Sequence, residues 1–408
     1  MTKKLLQINI TANWGSHGKI AEGIGNVVMS HGWESHVAYG RWANPSSSQL
    51  YHIGSMMDER IHGVGSRLLD NHGLMSKRAT IQLLRYVEQL NPDIIHLHNI
   101  HGYYLNYPEL FSFLSQTNKP VVWTLHDCWS YTGHCAHYMY VQCDRWKTHC
   151  EHCPQKRSYP ASLLLDRSYR NYDMKKQAFL SVQNLTLVPV SKWLEGDLRQ
   201  SFLKDCSIRQ IYNGIDPNVF KPQTETKAIM SKYDIPLGKR VLLGVASNWW
   251  RKGFEDFLQL RRLLDDKYVI VLVGLDEKRM KSLPTGVIGI RRTENITDLC
   301  GLYSLADVFL NLTLEDNMPT TNLEALACGT PVITYRTGGS PEAIDELTGN
   351  VVMQGNLEAV CKLVESVCNR GETVYASACR QRVLDKFCSS KQFEKYYDLY
   401  SQLLGIKK

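Results

Sequence analysis

Short apolar runs recur along the chain, separated by longer stretches with helical periodicity. One set covers residues 5–10, 35–39, 93–98, 120–125 and 185–189, and a second covers 240–246, 268–273, 286–290, 307–312 and 330–334. Runs that are apolar throughout, rather than alternating, predict parallel strands covered on both faces by helices. Two such sets predict two doubly wound α/β domains. The seam falls near residues 211–222, where Asn213, Gly214, Pro217 and Pro222 interrupt regular structure. Residues 392–404 read as a closing amphipathic helix.

Length agrees with this division, since 408 residues exceed the roughly 250–300 at which single cores stop growing. Apolar residues make up 43% of the chain, enough for two cores and too many for global disorder. No run approaches the ~18–20 apolar residues of a membrane span. The first residues read as a strand rather than a secretory signal, which gives a cytoplasmic expectation. A net charge of +7 without a dense basic tract argues against nucleic acid as a partner. It is compatible with peripheral association at an anionic membrane.

The unusual residues fall in loops after strands, where open α/β sheets bind ligands. Gly15, Ser16 and Gly18 follow the first strand, and a helix is expected from Lys19. Glycines allow close backbone approach, and a helix start favours anions. An ordinary strand-to-helix turn would carry the same residues. His126 and Asp127 follow the fourth strand, with Asp127 a candidate to orient His126 or to cap the next segment. Arg251 and Lys252 offer cations where a diphosphate leaving group would develop charge, although a solvated surface pair would look alike.

Residues 316–332, DNMPTTNLEALACGTPV, place Asp316 and Glu324 around a helix start. Thr320, Thr321 and Asn322 are candidate caps, and Thr321 with Glu324 fits a capping box. The alternative is functional: an anion at the helix start, with carboxylates accepting from sugar hydroxyls.

A cysteine-rich stretch within residues 128–160 holds Cys135, Cys143, Cys150 and Cys153. Four thiolates could close a structural zinc site, although the spacing is not a standard one. Packing thiols and redox use remain open.

Together these motifs resemble those of the family 4 retaining glycosyltransferases: a glycine-rich first loop, the TLHDCW block, Lys252-Gly253, residues 291–317, GGSPEAI at 338–344, and an acidic-x7-Glu block. Two departures stand out. Asp316 replaces the usual Glu, and Ala246 to Trp250 lack the usual upstream Arg, for which Arg251 is the candidate substitute. The resemblance implies a GT-B fold of two Rossmann-like domains facing an interdomain cleft. The implied limits are an acceptor-side domain at 1–213, a donor-side domain at 214–387, and a segment at 388–408 returning to the first. It further implies transfer of a sugar from a UDP- or GDP-linked donor to a glycan hydroxyl, of the colanic-acid or capsule type, with a lipid-linked acceptor as a family-level expectation.

By that resemblance His126 meets the donor sugar, Lys252 and Arg251 offset the diphosphate, and Asp316 contacts sugar hydroxyls. Glu324 contacts the ribose, and Arg292, Asn295 and Ile296 lie at the nucleobase. Asn317, Met318, Pro319, Thr320 and Thr321 complete the donor site, while Tyr303, Ala306 and Asp307 are packing or turn residues. No Asp-x-Asp occurs, so no cofactor is expected in catalysis. An epimerase or phosphorylase on the same architecture, and a catalytically silent nucleotide-sugar-binding subunit, are the alternatives.

Overall fold

The computed structural model describes residues 2–406, with the side chains of 372 and 373 outside the description. The chain divides into two compact units, one of residues 1–213 and 390–408, the other of residues 214–389.

The first unit is built on a seven-stranded parallel sheet, in the order β3-β2-β1-β4-β5-β6-β7. Its strands are β1 (Lys4–Ala12), β2 (Glu34–Ala43), β3 (Gln49–His52), β4 (Ile94–Leu97), β5 (Val121–Leu125), β6 (Leu185–Pro189) and β7 (Ser207–Ile208). The central strands β4, β5 and β6 are buried along their whole length, as apolar runs covered on both faces must be. β3 and β7 escaped the sequence reading because edge strands lack that signal: β3 is largely exposed and β7 is two residues long.

The helix Ser389–Leu403 completes this unit's core, placing Phe393, Tyr396, Leu399 and Tyr400 with Leu5, Ile24, Trp33 and Val122. Two of its phenols also meet buried polar groups of the sheet. Tyr400 Oη lies 2.6 Å from His96 Nδ1, and Thr124 Oγ1 donates to Tyr396 Oη at 3.1 Å.

The second unit carries a six-stranded parallel sheet, in the order β10-β9-β8-β11-β12-β13. Its strands are β8 (Arg240–Val245), β9 (Tyr268–Val273), β10 (Val287–Ile290), β11 (Val308–Asn311), β12 (Val332–Tyr335) and β13 (Gly349–Val352). In both sheets the strand order reverses at the first strand of the unit, next to β1 and next to β8. That reversal opens a crevice beyond the strands' carboxyl ends.

Candidate active site

In the second unit the loop after β8 is stitched to the segment after β11. Leu314 N–H donates to the Arg251 carbonyl at 2.8 Å. Gly253 follows with φ +73°, and a Cβ there would collide with the Leu312 carbonyl, so only glycine allows this approach. The stitch brings Lys252 Nζ into an ion pair with Asp316 Oδ2. The other Asp316 oxygen accepts from Met318 N–H at 3.2 Å, which fixes the carboxylate. Glu315 beside it is buried, so Asp316 is the acid that keeps a solvent-accessible face. Arg251 is half-buried, and its Nε is shielded from solvent with no hydrogen-bond partner among the described residues.

The helix Thr320–Ala327 begins at Pro319, without a side-chain cap and without an acid in its first turn. The expected capping box does not form, because Pro319 takes the N-cap position and Thr321 lies inside the first turn; Glu324 Oε2 instead accepts from Tyr303 Oη at 2.8 Å. Tyr303 is fully buried, and burial together with Glu324 holds its phenol well above the ordinary value. It therefore donates its proton to a carboxylate kept half-exposed. Asn322 ties the same helix start to two loops. It accepts from Asn311 Nδ2 at 2.7 Å and donates to Ser340 Oγ at 2.9 Å, anchoring the Gly338-Gly339 turn.

In the first unit a chain of buried hydrogen bonds ends at His126. Gln7 Nε2 donates to the Ala21 carbonyl at 2.8 Å, which turns Gln7 Oε1 to His98 Nε2 at 2.9 Å. A carbonyl oxygen only accepts, so His98 carries its proton on Nε2. Its Nδ1 is then a lone pair, 3.3 Å from His126 Nε2. Burial, reinforced by neighbouring histidines, holds both imidazoles well below their ordinary pKa and so neutral. His126 therefore bears its proton on Nε2, and Nδ1 is its acceptor. The His17 ring lies 5.7 Å from that of His126. His17 Nδ1 is shielded and has no hydrogen-bond partner among the described residues, and burial pushes its pKa down to about 4.

Asp127 does not orient His126. Its Oδ2 meets His101 Nε2 at 2.7 Å, and its Oδ1 accepts from Trp129 N–H at 2.9 Å. His101 Nδ1 continues to Tyr159 Oη at 3.0 Å. Burial would raise the Asp127 pKa, but His101 outweighs it and holds the carboxyl well below the usual range.

The sequence matches the family model "Glycosyltransferase Family 4" over residues 24–219 and "Glycosyl transferases group 1" over residues 239–370. The chain is a family 4 glycosyltransferase. It is 24% identical to the putative colanic acid biosynthesis glycosyl transferase WcaC of Escherichia coli K12, covering 98% of this chain and all of WcaC. It is 25% identical to the N-acetyl-alpha-D-glucosaminyl L-malate synthase of Bacillus anthracis over 54% of this chain and 61% of that protein. Among solved structures, sucrose-phosphate synthase from Thermosynechococcus elongatus superposes with a TM-score of 0.74 at 17% identity, covering 99% and 100% of the two chains. Anabaena HepE in complex with UDP superposes at 0.68 with 12% identity, covering 98% and 100%. The fold is GT-B.

Against this transferase fold the anticipated site residues sort unevenly. Lys252 and Asp316 meet directly, while Thr320, Thr321 and Glu324 stay half-exposed and Asn317, Met318 and Pro319 are buried. Asn295 caps the helix Ile296–Leu305, accepting from Asp298 N–H at 2.8 Å, and Arg292 and Ile296 are exposed. The helix at the glycine loop starts at Gly15 rather than Lys19, because Gly15 at φ +66° makes the turn itself. Gly18 then packs against Thr11, leaving no space for a side chain.

Sequence reasoning missed His17, His98, Gln7 and Tyr303. His17 lies between the two expected glycines and could have been read there. Gln7 and Tyr303 sit in a strand and a helix, and His98 directly follows β4, where nothing local separates them from packing residues.

The four insert cysteines are free thiols, and they line one small cavity with His134, Tyr138 and Trp146. Among the described residues no group of three or more Cys, His, Asp or Glu is placed to hold a metal ion.

Proposed function

We propose that this protein transfers a sugar, with retention of anomeric configuration, from a UDP- or GDP-linked donor to a hydroxyl of a growing surface glycan. The uncapped, acid-free start of the helix Thr320–Ala327 carries this reading, since its N–H groups suit a diphosphate. Lys252 and Arg251 stand on the loop stitched to residues 313–316 and add cations as the leaving group develops charge. Asp316 takes donor sugar hydroxyls, Glu324 the ribose, Arg292 and Ile296 the base, and His126 the sugar. The C1–phosphate bond breaks as the C1–acceptor oxygen bond forms on the same face. The acceptor proton passes to the departing phosphate oxygen, and no cofactor enters.

The complexes of HepE with UDP and with UDP-glucose favour uridine, and the similarity to a colanic acid biosynthesis transferase favours a surface polysaccharide. Thermal shift with UDP and GDP tests the donor site: one of them should raise the melting temperature. NMR of the product's anomeric configuration tests retention, and an inverted product would overturn it.

A lipid-linked acceptor at the cytoplasmic face belongs to the same reading. No helix among the described residues is long and apolar enough to cross a membrane. The helix Met56–Leu69 instead turns Met57, Ile61, Val64 and Leu68 to solvent, with exposed Arg60 and Arg67 alongside. Residues 163–165, three exposed leucines, are bonded to its last turn through Leu163 N–H to the Arg67 carbonyl at 2.6 Å. An apolar stripe with a basic border suits an anionic lipid surface. Co-sedimentation with phosphatidylglycerol-containing vesicles, but not with phosphatidylcholine alone, is expected and should fail for Ile61→Asp.

In this reading the insert's four thiols close on a structural zinc ion, which requires the sulfurs lining the cavity to draw together.

A further inference from the structure

Beside the glycine loop the first unit exposes two tryptophans. Trp14 immediately precedes Gly15, and Trp42 stands at the carboxyl end of β2, where the register places it opposite Thr11 of β1. The indole centroids are 4.8 Å apart with planes tilted by 39°, and the two side chains are 45% and 47% exposed. An indole that served folding alone would be more fully buried.

The backbone holding this pair is well fixed. Asn13 sits in the left-handed region at φ +47°, which asparagine adopts more readily than other residues with a side chain. Its Nδ2 donates to the Pro45 carbonyl at 2.6 Å, and Asn44 Nδ2 donates to the Asn13 carbonyl at 2.9 Å. Thr11 Oγ1 donates to the Trp14 carbonyl at 2.8 Å, and Asn44 N–H donates to the Ala12 carbonyl at 3.0 Å. Arg41 lies 4.4 Å over the Trp42 ring and is itself held by Glu59 at 3.0 Å.

We propose that Trp14 and Trp42 form a stacking platform for a pyranose ring of the acceptor glycan. The inference rests on the transferase reading. A pyranose offers a face of C–H groups suited to an aromatic ring and an edge of hydroxyls suited to polar neighbours. Both are provided here, the edge by Arg41 and by the amides of Asn13 and Asn44. Continuity with the glycine loop selects the occupant: three residues after Trp14, the His17 ring lies 5.7 Å from that of His126, the residue assigned above to the donor sugar. Fixed indoles also bind at little entropic cost.

Saturation-transfer NMR with lactose and chitobiose, two soluble pyranose disaccharides, tests the platform. Saturation should reach the ring C–H protons of at least one disaccharide on the wild-type protein. Trp14→Ala and Trp42→Ala should each weaken that signal about fivefold or more, while Trp42→Phe retains most of it. The thermal shift induced by whichever of UDP and GDP stabilises the wild type should be unchanged in all three variants, which also shows that they fold. An undiminished signal in both alanine variants would overturn the platform, as would no signal from the wild type. Loss of vesicle binding in the tryptophan variants without any sugar signal would instead make the pair a membrane contact. If the sugar signal behaves as expected while neither UDP nor GDP stabilises the protein, the donor-site assignment fails and the sugar platform stands.

Discussion

Lys252 and Asp316 form an ion pair between two loops of the second unit's sheet, across 64 residues of sequence. Each keeps a fifth of its side chain accessible, so the pair is fixed without being sealed. An ammonium has three donors and can hold Asp316 and a phosphate oxygen together. Lys252→Met should therefore lower kcat/KM by about a hundredfold or more, the scale of losing one donor to developing charge. Melting temperature should move little, because partly exposed pairs contribute about 1 kcal/mol or less. A large fall in stability with activity retained would make the pair structural.

Glu324→Gln separates two roles for the second acid. Gln can still accept from Tyr303, so the fold should persist, whereas a ribose diol loses its charged acceptor. The donor KM should rise about tenfold, the scale of one hydrogen bond to a charged group, with kcat less affected. Unchanged donor kinetics would remove Glu324 from the donor site.

The proton on His126 should be visible directly. Nitrogen-15 NMR at neutral pH should show a protonated Nε2 and an unprotonated Nδ1. Gln7→Met removes the acceptor that sets His98, so the two His126 tautomers should then mix. The expected kinetic signature is a fall in kcat with donor KM nearly unchanged. A wild-type spectrum with the proton on Nδ1 would refute the relay.

Acid should destabilise the first unit through its histidines. Burial holds His17 and His62 at about 4 and pushes His72, His96, His98 and His126 well below 6.5. Folded-state values below the unfolded one mean that the unfolded chain binds more protons as pH falls. Stability is thus complete above about pH 6.5 and declines below it, by up to roughly 1.4 kcal/mol per pH unit for each group. His134, whose pKa Asp70 raises against burial, works in the opposite sense. Melts from neutral pH down to about pH 5 should fall steeply, and a flat profile would contradict the assignment.

Zinc should be found with the reduced protein at about one ion per chain, the stoichiometry of a four-thiolate site. Cys153→Ser should release it and lower the melting temperature. Metal-free protein melting at the same temperature as zinc-treated protein would leave the thiols as packing groups.

The sheets were legible in the sequence because buried parallel strands write themselves as apolar runs. The edge strands β3 and β7 do not, and β13 begins Gly-Asn, which reads as a turn. Candidate site residues in loops stood out through their unusual types, as with Lys252, Asp316 and His126. Their partners were less accessible. Asp127 is next to His126 in sequence yet bonds His101, and His98, far away in sequence, holds His126. Adjacency along a strand end alternates faces, so the immediate neighbour points elsewhere. The capping box failed because the helix starts earlier than its Thr-x-x-Glu pattern suggests, at Pro319, and only the tertiary fold brings Tyr303 to Glu324.

The return of residues 390–408 to the first unit also constrains the order of assembly. Tyr396 and Tyr400 reach Thr124 and His96 from a helix synthesised after the entire second unit. During translation the first sheet therefore waits with an open apolar face, His96 and Thr124 holding each other but His96 Nδ1 still without Tyr400. Only when the second unit has emerged can the first be closed, so the core beside β4, the strand that leads into His98, is completed by the last residues made.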